Sequence, residues 1–338
     1  MSELEAFLSL SPFVFFLIFL ALLFDFLNGM NDAANSIATI VSTRVLKPFQ
    51  AVALAAFFNF LAAFGVPLAV ALTIGKGIID TKIATANLVF AALIGAIFWT
   101  YTATHFGLPI SVSHALIGGM IGAGIMASGI GVIKAGIWKV IAFIAISPIL
   151  GLIIGYISMV IIIRLVRNKP QGKVDGIFRK LQLLSASAFS FSHGANDAQK
   201  TMGIIVFLLI GVGYFGTKTP WVPVWVILSA HLAIALGTVA GGWKVIKTLG
   251  IRVTKLRPVH GCAAEGSGAL TIIGCSIAGI PVSTTHTITG SIMGVGATKR
   301  LSAVRWGVTR NIIWAWILTI PISAIISAIS YFAIKTFL

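Results

Sequence analysis

Acidic residues are what this 338-residue chain has least of, with eight Asp and Glu against 24 Lys and Arg. Charged residues make up only 9% of it, hydrophobic residues 58%, and the mean hydropathy is +1.04. That scarcity excludes a soluble enzyme, since an ordinary soluble domain has about a quarter of its residues charged. Cysteine is nearly absent too. Cys262 and Cys275 lie in apolar surroundings with no metal-ligand spacing to any His, which suits small packing residues and says nothing about redox compartment. No His-x-x-x-His or Glu-x-x-His spacing occurs, which argues against a zinc site. The formal charge of +16 would suggest nucleic acid in a soluble protein, but no aromatics are interleaved with the basic clusters to stack bases, so no nucleic acid is expected as a partner.

What is there is apolar and long. Runs such as Ile141 to Ile163 and Val222 to Trp243 match the ~20 residues that cross a bilayer core, and they recur with no long polar stretch between them. The first run, Phe7 to Phe26, follows Glu3 and Glu5 rather than a basic leader and has no small-residue cleavage site, so it reads as a retained membrane helix. The expected fold is an all-α polytopic membrane protein with about 10 to 12 membrane segments.

The chain also repeats itself. Gly29 to Val41 matches Gly194 to Val206 at six of thirteen positions, and Gly107-Leu-Pro-Ile-Ser-Val-Ser-His114 parallels Gly279-Ile-Pro-Val-Ser-Thr-Thr-His286. Gly118, Gly122 and Gly124 recur as Gly290, Gly294 and Gly296, and the offsets of 165 and 172 nearly agree. Two halves, 1–163 and 182–338, are thus expected around a basic cytoplasmic loop at 164–181. The basic residues set their orientation. Placing that loop inside and alternating from it puts 17 Lys and Arg inside and six outside, with Lys200 in the membrane. Each loop then faces the side opposite its repeat partner. The repeats are inverted, both termini are outside, and the pattern is that of secondary transporters with broken helices around a midplane site.

Asp25, Asp32, Asp197 and Glu265 are embedded in apolar sequence, where a carboxylate is costly and a functional role is the default. Helix capping by Asn31-Asp32 and Asn196-Asp197 is the plainer alternative. Asp32, Asn35 and Ser36 share one helical face and offer hard oxygen ligands for a small alkali cation, with a broken backbone near Asn28 to Asn31 adding carbonyls. Asn196, Asp197 and Thr201 repeat the pattern, with Lys200 in the place of Asn35; that lysine either snorkels, neutralises an Asp or approaches an anion. The Pro-Ile-Ser-Val-Ser and Pro-Val-Ser-Thr-Thr segments join apolar stretches through a Gly-x-Pro turn into a Gly-rich helix. Their hydroxyls, on Ser111, Ser113, Ser283, Thr284 and Thr285, would gather where helix N–H groups are free, which makes an oxyanion site. His114 and His286, symmetry mates, are expected in hydrogen-bonded helix packing, with a proton-sensitive gate as the other reading.

On these duplicated Gly-x-Asn-Asp-Ala elements (Gly29 to Ala33, Gly194 to Ala198) and Pro-x-Ser-x-x-His elements (Pro109 to His114, Pro281 to His286), the sequence resembles the inorganic phosphate transporter family over nearly its whole length. Gly242 to Gly250 and Gly261-Cys-Ala-Ala-Glu265 add to the likeness in the second half. The resemblance implies phosphate import by alternating access, coupled to sodium or protons, with each Asn-Asp aspartate near cation and substrate and with no organic cofactor. It implies an integral protein of a prokaryotic inner membrane, in contact with lipid and possible as a homodimer. In that resemblance, acidic residues of some animal members align with Asn59 and Val89, whereas Glu265 keeps the second-half one. A sulfate permease of the same architecture and an anion channel are the alternatives.

Overall fold

The computed structural model describes residues 3–65, 67–249 and 253–337, and it is helical almost throughout. The helices are α1 (Glu3–Leu8), α2 (Pro12–Ser42), α3 (Pro48–Leu61), α4 (Ala69–Gly77), α5 (Ala86–Phe106), α6 (Val112–Ser128) and α7 (Gly136–Val166) in the first half. The second half has α8 (Gln171–Gly211), α9 (Val224–Ala240), α10 (Trp243–Lys247), α11 (Pro258–Ile277), α12 (Thr284–Ala297) and α13 (Trp306–Phe337). Part of the second-half signature, Gly250, and Arg252 of its basic stretch lie outside the described residues.

Local chemistry sets the boundaries. Ser11 caps α2, its hydroxyl accepting from the Val14 N–H, and Pro12 supplies the fixed φ of a first helical position. From there α2 runs unbroken for 31 residues, about 46 Å at 1.5 Å per residue. The break expected at Asn28 to Asn31 does not exist: no proline or strained residue interrupts the segment, and its carbonyls stay in the helical ladder. The Asn-Asp motifs are therefore in helix interiors, not at caps. The basic stretch 164–181, read as a loop, is helical except at 167–170, because α8 starts at Gln171 and runs 41 residues. By length and apolar composition four described helices qualify as spans (α2, α5, α7, α13), or five if α3 and α4 count as one bent span. The other segments of the expected 10 to 12 fall short on that criterion for physical reasons: α8 has a polar interior stretch, and α6 and α12 are short arms of hairpins.

The repeat is visible as an exchange of partners between the halves. A Cβ on Gly118 or Gly122 of α6 would meet the backbone oxygens of Ile320 and Ala324 in α13, at 2.6 and 2.0 Å. A Cβ on Gly290 or Gly294 of α12 would meet those of Pro148 and Leu152 in α7, each at 2.1 Å. Every member of the second set is its first-set counterpart shifted by 172 positions, so each half's hairpin is closed by the last helix of the other half. Contact this close needs small residues on the facing surfaces. Gly122→Ala and Gly294→Ala should each destabilise the protein by about 1 to 3 kcal/mol through overpacking; a melting temperature unchanged from wild type in detergent would contradict the close approach.

Charge separates the two ends. Arg179 of α8 donates to the Arg44 carbonyl at 2.7 Å, and a single guanidinium nitrogen of Arg257, Nη2, reaches both carboxylate oxygens of Asp175 at 2.7 and 2.9 Å. Lys299 reaches the Lys255 carbonyl, and burial together with the nearby Arg257 holds its ammonium below the usual lysine range. Four basic segments distant in sequence thus share one end. At the other, Asp80 accepts from the Lys82 N–H, which holds its carboxyl below the usual range, and pairs with Lys134 at 3.5 Å.

Candidate functional site

Two helical hairpins point into the middle of the molecule. After α5 and after α11 a glycine turns the chain in the left-handed region, Gly107 at φ 71° and Gly279 at φ 66°. Ser111 and Ser283 then cap α6 and α12, their hydroxyl oxygens accepting from the backbone N–H groups of His114 and His286 at 3.3 and 3.2 Å. These two serines thus serve their own helices first. The remaining hydroxyls, Ser113, Thr284 and Thr285, stand in the first turns beyond the caps and face α2 and α8.

There they meet the aspartates. Thr285 donates to Asp32 Oδ1 at 3.1 Å, and the Thr284 hydroxyl is shared between Asp32 Oδ2 and Asp197 Oδ2 at 3.1 and 3.2 Å. Asn35 donates its amide to Thr285 at 2.9 Å. Lys200 does not snorkel: it is 1% exposed, and its ammonium contacts Asp197 Oδ1 at 2.5 Å, the Val282 carbonyl at 2.7 Å and the Ser113 hydroxyl. The repeat is again crosswise, because Asn35 of the first motif binds Thr285 of the second hairpin and Lys200 of the second motif binds Ser113 of the first. Residues expected in separate cation and anion sites are therefore one buried cluster.

His193 completes it, and the sequence reading did not select it. Its Nε2 lies 3.7 Å from Asp32 Oδ2 and 3.6 Å from Asp197 Oδ2. Its Nδ1 lies 3.1 Å from Asn59 Oδ1, while the Asn59 amide nitrogen donates to Thr238. With that amide so oriented, Nδ1 carries a proton toward Asn59, and Nε2 is the ring nitrogen that faces the carboxylates. One ligand atom from each of Asp32, His193 and Asp197 lies within 4.8 Å of the others, which makes the trio a candidate cation site. The spacing His193-x-x-x-Asp197, one helical turn, was the available signal, whereas the zinc-type spacings considered first could not show a ligand supplied by another helix.

The remaining expected residues divide. Asn31 and Asn196 donate their amides to Thr104 and Ser276 at 2.7 and 2.8 Å, a symmetric pair of bonds, and their amide oxygens have no partner. Asn35 Oδ1 and Ser36 Oγ are likewise buried and unpartnered. Asn28 turns away from Asp32 and donates to Asp25 at 3.3 Å. Glu265 stands apart in a saturated network, accepting from Thr39, Gln182 and Ser185 at 2.5, 2.9 and 2.5 Å. The histidines stack more than they hydrogen-bond: the rings of His114 and His286 lie edge to face at 4.9 Å, and His286 stacks on Trp316 at 3.8 Å. Of these two, His286 has a ring contact with a carbonyl, that of Ile144 at 3.3 Å, while His114 Nδ1 and His286 Nε2 have no partner. The cluster is occluded, with Asp32 2% and Asp197 and Thr284 each 1% exposed.

Comparison with known proteins identifies relatives of the whole chain. The profile of the phosphate transporter family matches twice, at residues 28–175 and 166–327, once in each half. The chain is 52% identical over 323 residues to a Rhizobium meliloti protein named "Probable low-affinity inorganic phosphate transporter", covering 95% of this chain and 96% of that one. A Bacillus subtilis protein of the same name is 42% identical, over 93% and 95% of the two chains. Among solved structures, "The sodium-dependent phosphate transporter" superposes with a TM-score of 0.87 at 29% identity, covering 97% of this chain and all of that one.

Proposed function

The chain belongs to the phosphate transporter family, and on that premise we propose that it imports inorganic phosphate by alternating access, driven by sodium or protons, and catalyses no reaction. The observation that carries the reading is the convergence of both Asn-Asp motifs and both hairpins on one occluded cluster. Phosphate near neutral pH carries roughly one to two negative charges, by analogy with a phosphate monoester, so its site must combine donors with cations. Lys200 supplies one cation, and the Asp32–His193–Asp197 triad gathers carboxylate oxygens and a ring nitrogen that suit a second.

Coupling then follows from the two-sided chemistry of a hydroxyl. The protons of Thr284 and Thr285 go to the aspartates here. A cation on those carboxylates competes for the same oxygens and leaves the threonine protons to turn toward an anion, while their lone pairs can still ligate the cation. Cation binding thereby creates anion donors at Thr284 and Thr285, beside Ser113 and Lys200. Inversion of the two repeats, with both termini outside, would let this cluster be exposed alternately to either side.

Counterflow of labelled phosphate in proteoliposomes, under imposed sodium or proton gradients, tests the reading. Accumulation of phosphate against its gradient is expected, and accumulation of sulfate in its place would overturn it. Orientation is tested separately. In a background without Cys262 and Cys275, cysteines at Thr81 and Thr219 should be labelled from outside and one at Gln171 should not, with the reverse pattern inverting the topology.

A further inference from the structure

Two buried carboxylates take no part in the cluster above: Glu265, saturated by its own three donors, and Asp25, which is not. Asp25 lies on α2 seven residues before Asp32, about 10 Å away along the helix axis, and it is fully buried. Its Oδ1 receives a single long hydrogen bond from Asn28, at 3.3 Å, and its Oδ2 receives none. Asn28 Oδ1 is also buried without a partner, and the hydroxyl of Thr201, from α8, faces this carboxylate without completing a well-formed hydrogen bond to it. Lys200 and Asp197 are the nearby charges. The three donors of Lys200 are all committed elsewhere, to Asp197, Ser113 and Val282, so no ammonium hydrogen remains for Asp25.

A buried carboxylate surrounded by unpartnered oxygens is a cation ligand set. We infer that Asp25, Asn28 and Thr201 form a second sodium seat between α2 and α8, separate from the Asp32–His193–Asp197 triad. The seat breaks the repeat symmetry. The counterpart of Asp25 at the offset of 165 is Ser190, whose hydroxyl donates to the Ala186 carbonyl at 2.8 Å, so the second half cannot build the same site. The protein thus carries this extra cation position in one half only, and the position offers a carboxylate, an amide oxygen and a hydroxyl, the hard ligands that sodium favours.

The inference rests on the cation-coupled reading of the protein, and its test is a count that does not require transport. Equilibrium binding of radiolabelled sodium to the purified full chain should show one ion fewer per chain in Asp25→Asn than in wild type. Thr201→Val, which removes only the hydroxyl, should keep the number of ions and weaken one of them by about tenfold. Equal counts and affinities in wild type and both variants overturn the seat. If Asp25→Asn does not fold, an unchanged sodium titration in Thr201→Val does the same. A wild type whose sodium binding is insensitive to either change, but which takes up a proton at Asp25 instead, also overturns it. Absence of phosphate counterflow in wild type would sink the import reading while leaving the sodium count to decide the seat.

Discussion

Asp32→Asn and Asp197→Asn are each expected to reduce cation-driven phosphate uptake to background, and they should differ in what else they damage. Asparagine keeps the shape and removes the charge. Losing one charged ligand costs about 1.5 to 3 kcal/mol, roughly 10- to 150-fold in cation affinity, before any effect on the anion that the cation attracts. Asp32 is held by threonine hydroxyls and faces a histidine, so Asp32→Asn should fold and melt much as wild type does. Asp197 is the counterion of Lys200, and Asp197→Asn leaves that ammonium buried with no carboxylate in contact. It should therefore melt lower as well as fail to transport. Uptake of labelled phosphate under a sodium or proton gradient, paired with thermal unfolding of the purified proteins, checks both. Concentrative uptake with unchanged cation dependence in either variant would remove that aspartate from the cation site.

Lys200→Ala carries the second large effect, and it falls on stability first. Breaking a buried ion pair by removing one partner costs about 3 to 5 kcal/mol, because the surviving charge is left uncompensated. The same substitution also removes the one ammonium that touches both hairpins, through Ser113 and the Val282 carbonyl. The double variant Asp197→Asn, Lys200→Ala leaves neither charge stranded and should recover most of the lost stability without recovering uptake. A strictly additive loss in the double variant would show that the pair is not the source of the destabilisation.

How far the site was legible depended on whether its signal was local. The Gly-x-Pro turns and the serines that follow them are local chemistry, and both hairpins form where Gly107, Pro109, Ser111 and their counterparts indicate. The i, i+3, i+4 face of Asp32, Asn35 and Ser36 is likewise local and present, since α2 is helical there. What could not be read was the crossing of partners. Nothing near Asn35 in the sequence says that its amide meets Thr285, 250 positions on, or that Asn59 holds the ring of His193. The supposed break at Asn28 to Asn31 came from reading polar side chains as a signal of irregular backbone. In the structure the side chains of Asn28 and Asn31 are directed inward from an intact helix, each donating its amide. Asp25 stands out as an acid in apolar sequence, but its neighbour Thr201 comes from the other half, so its surroundings are not legible locally.

The crosswise closure of the hairpins by α7 and α13 also dictates an order of biogenesis. During synthesis α6 leaves the ribosome long before α13, whose residues Ile320 and Ala324 are the surface that its glycine face fits. Until the last helix is inserted, the first hairpin has no lid, and Trp316 has not yet reached the Pro109 carbonyl that it holds at 3.0 Å. The second hairpin never waits, because α7 is already in the membrane when α12 arrives. The nascent chain is therefore asymmetric in time although the finished molecule is nearly symmetric in space, and its first hairpin is the one left uncovered while the second half is made.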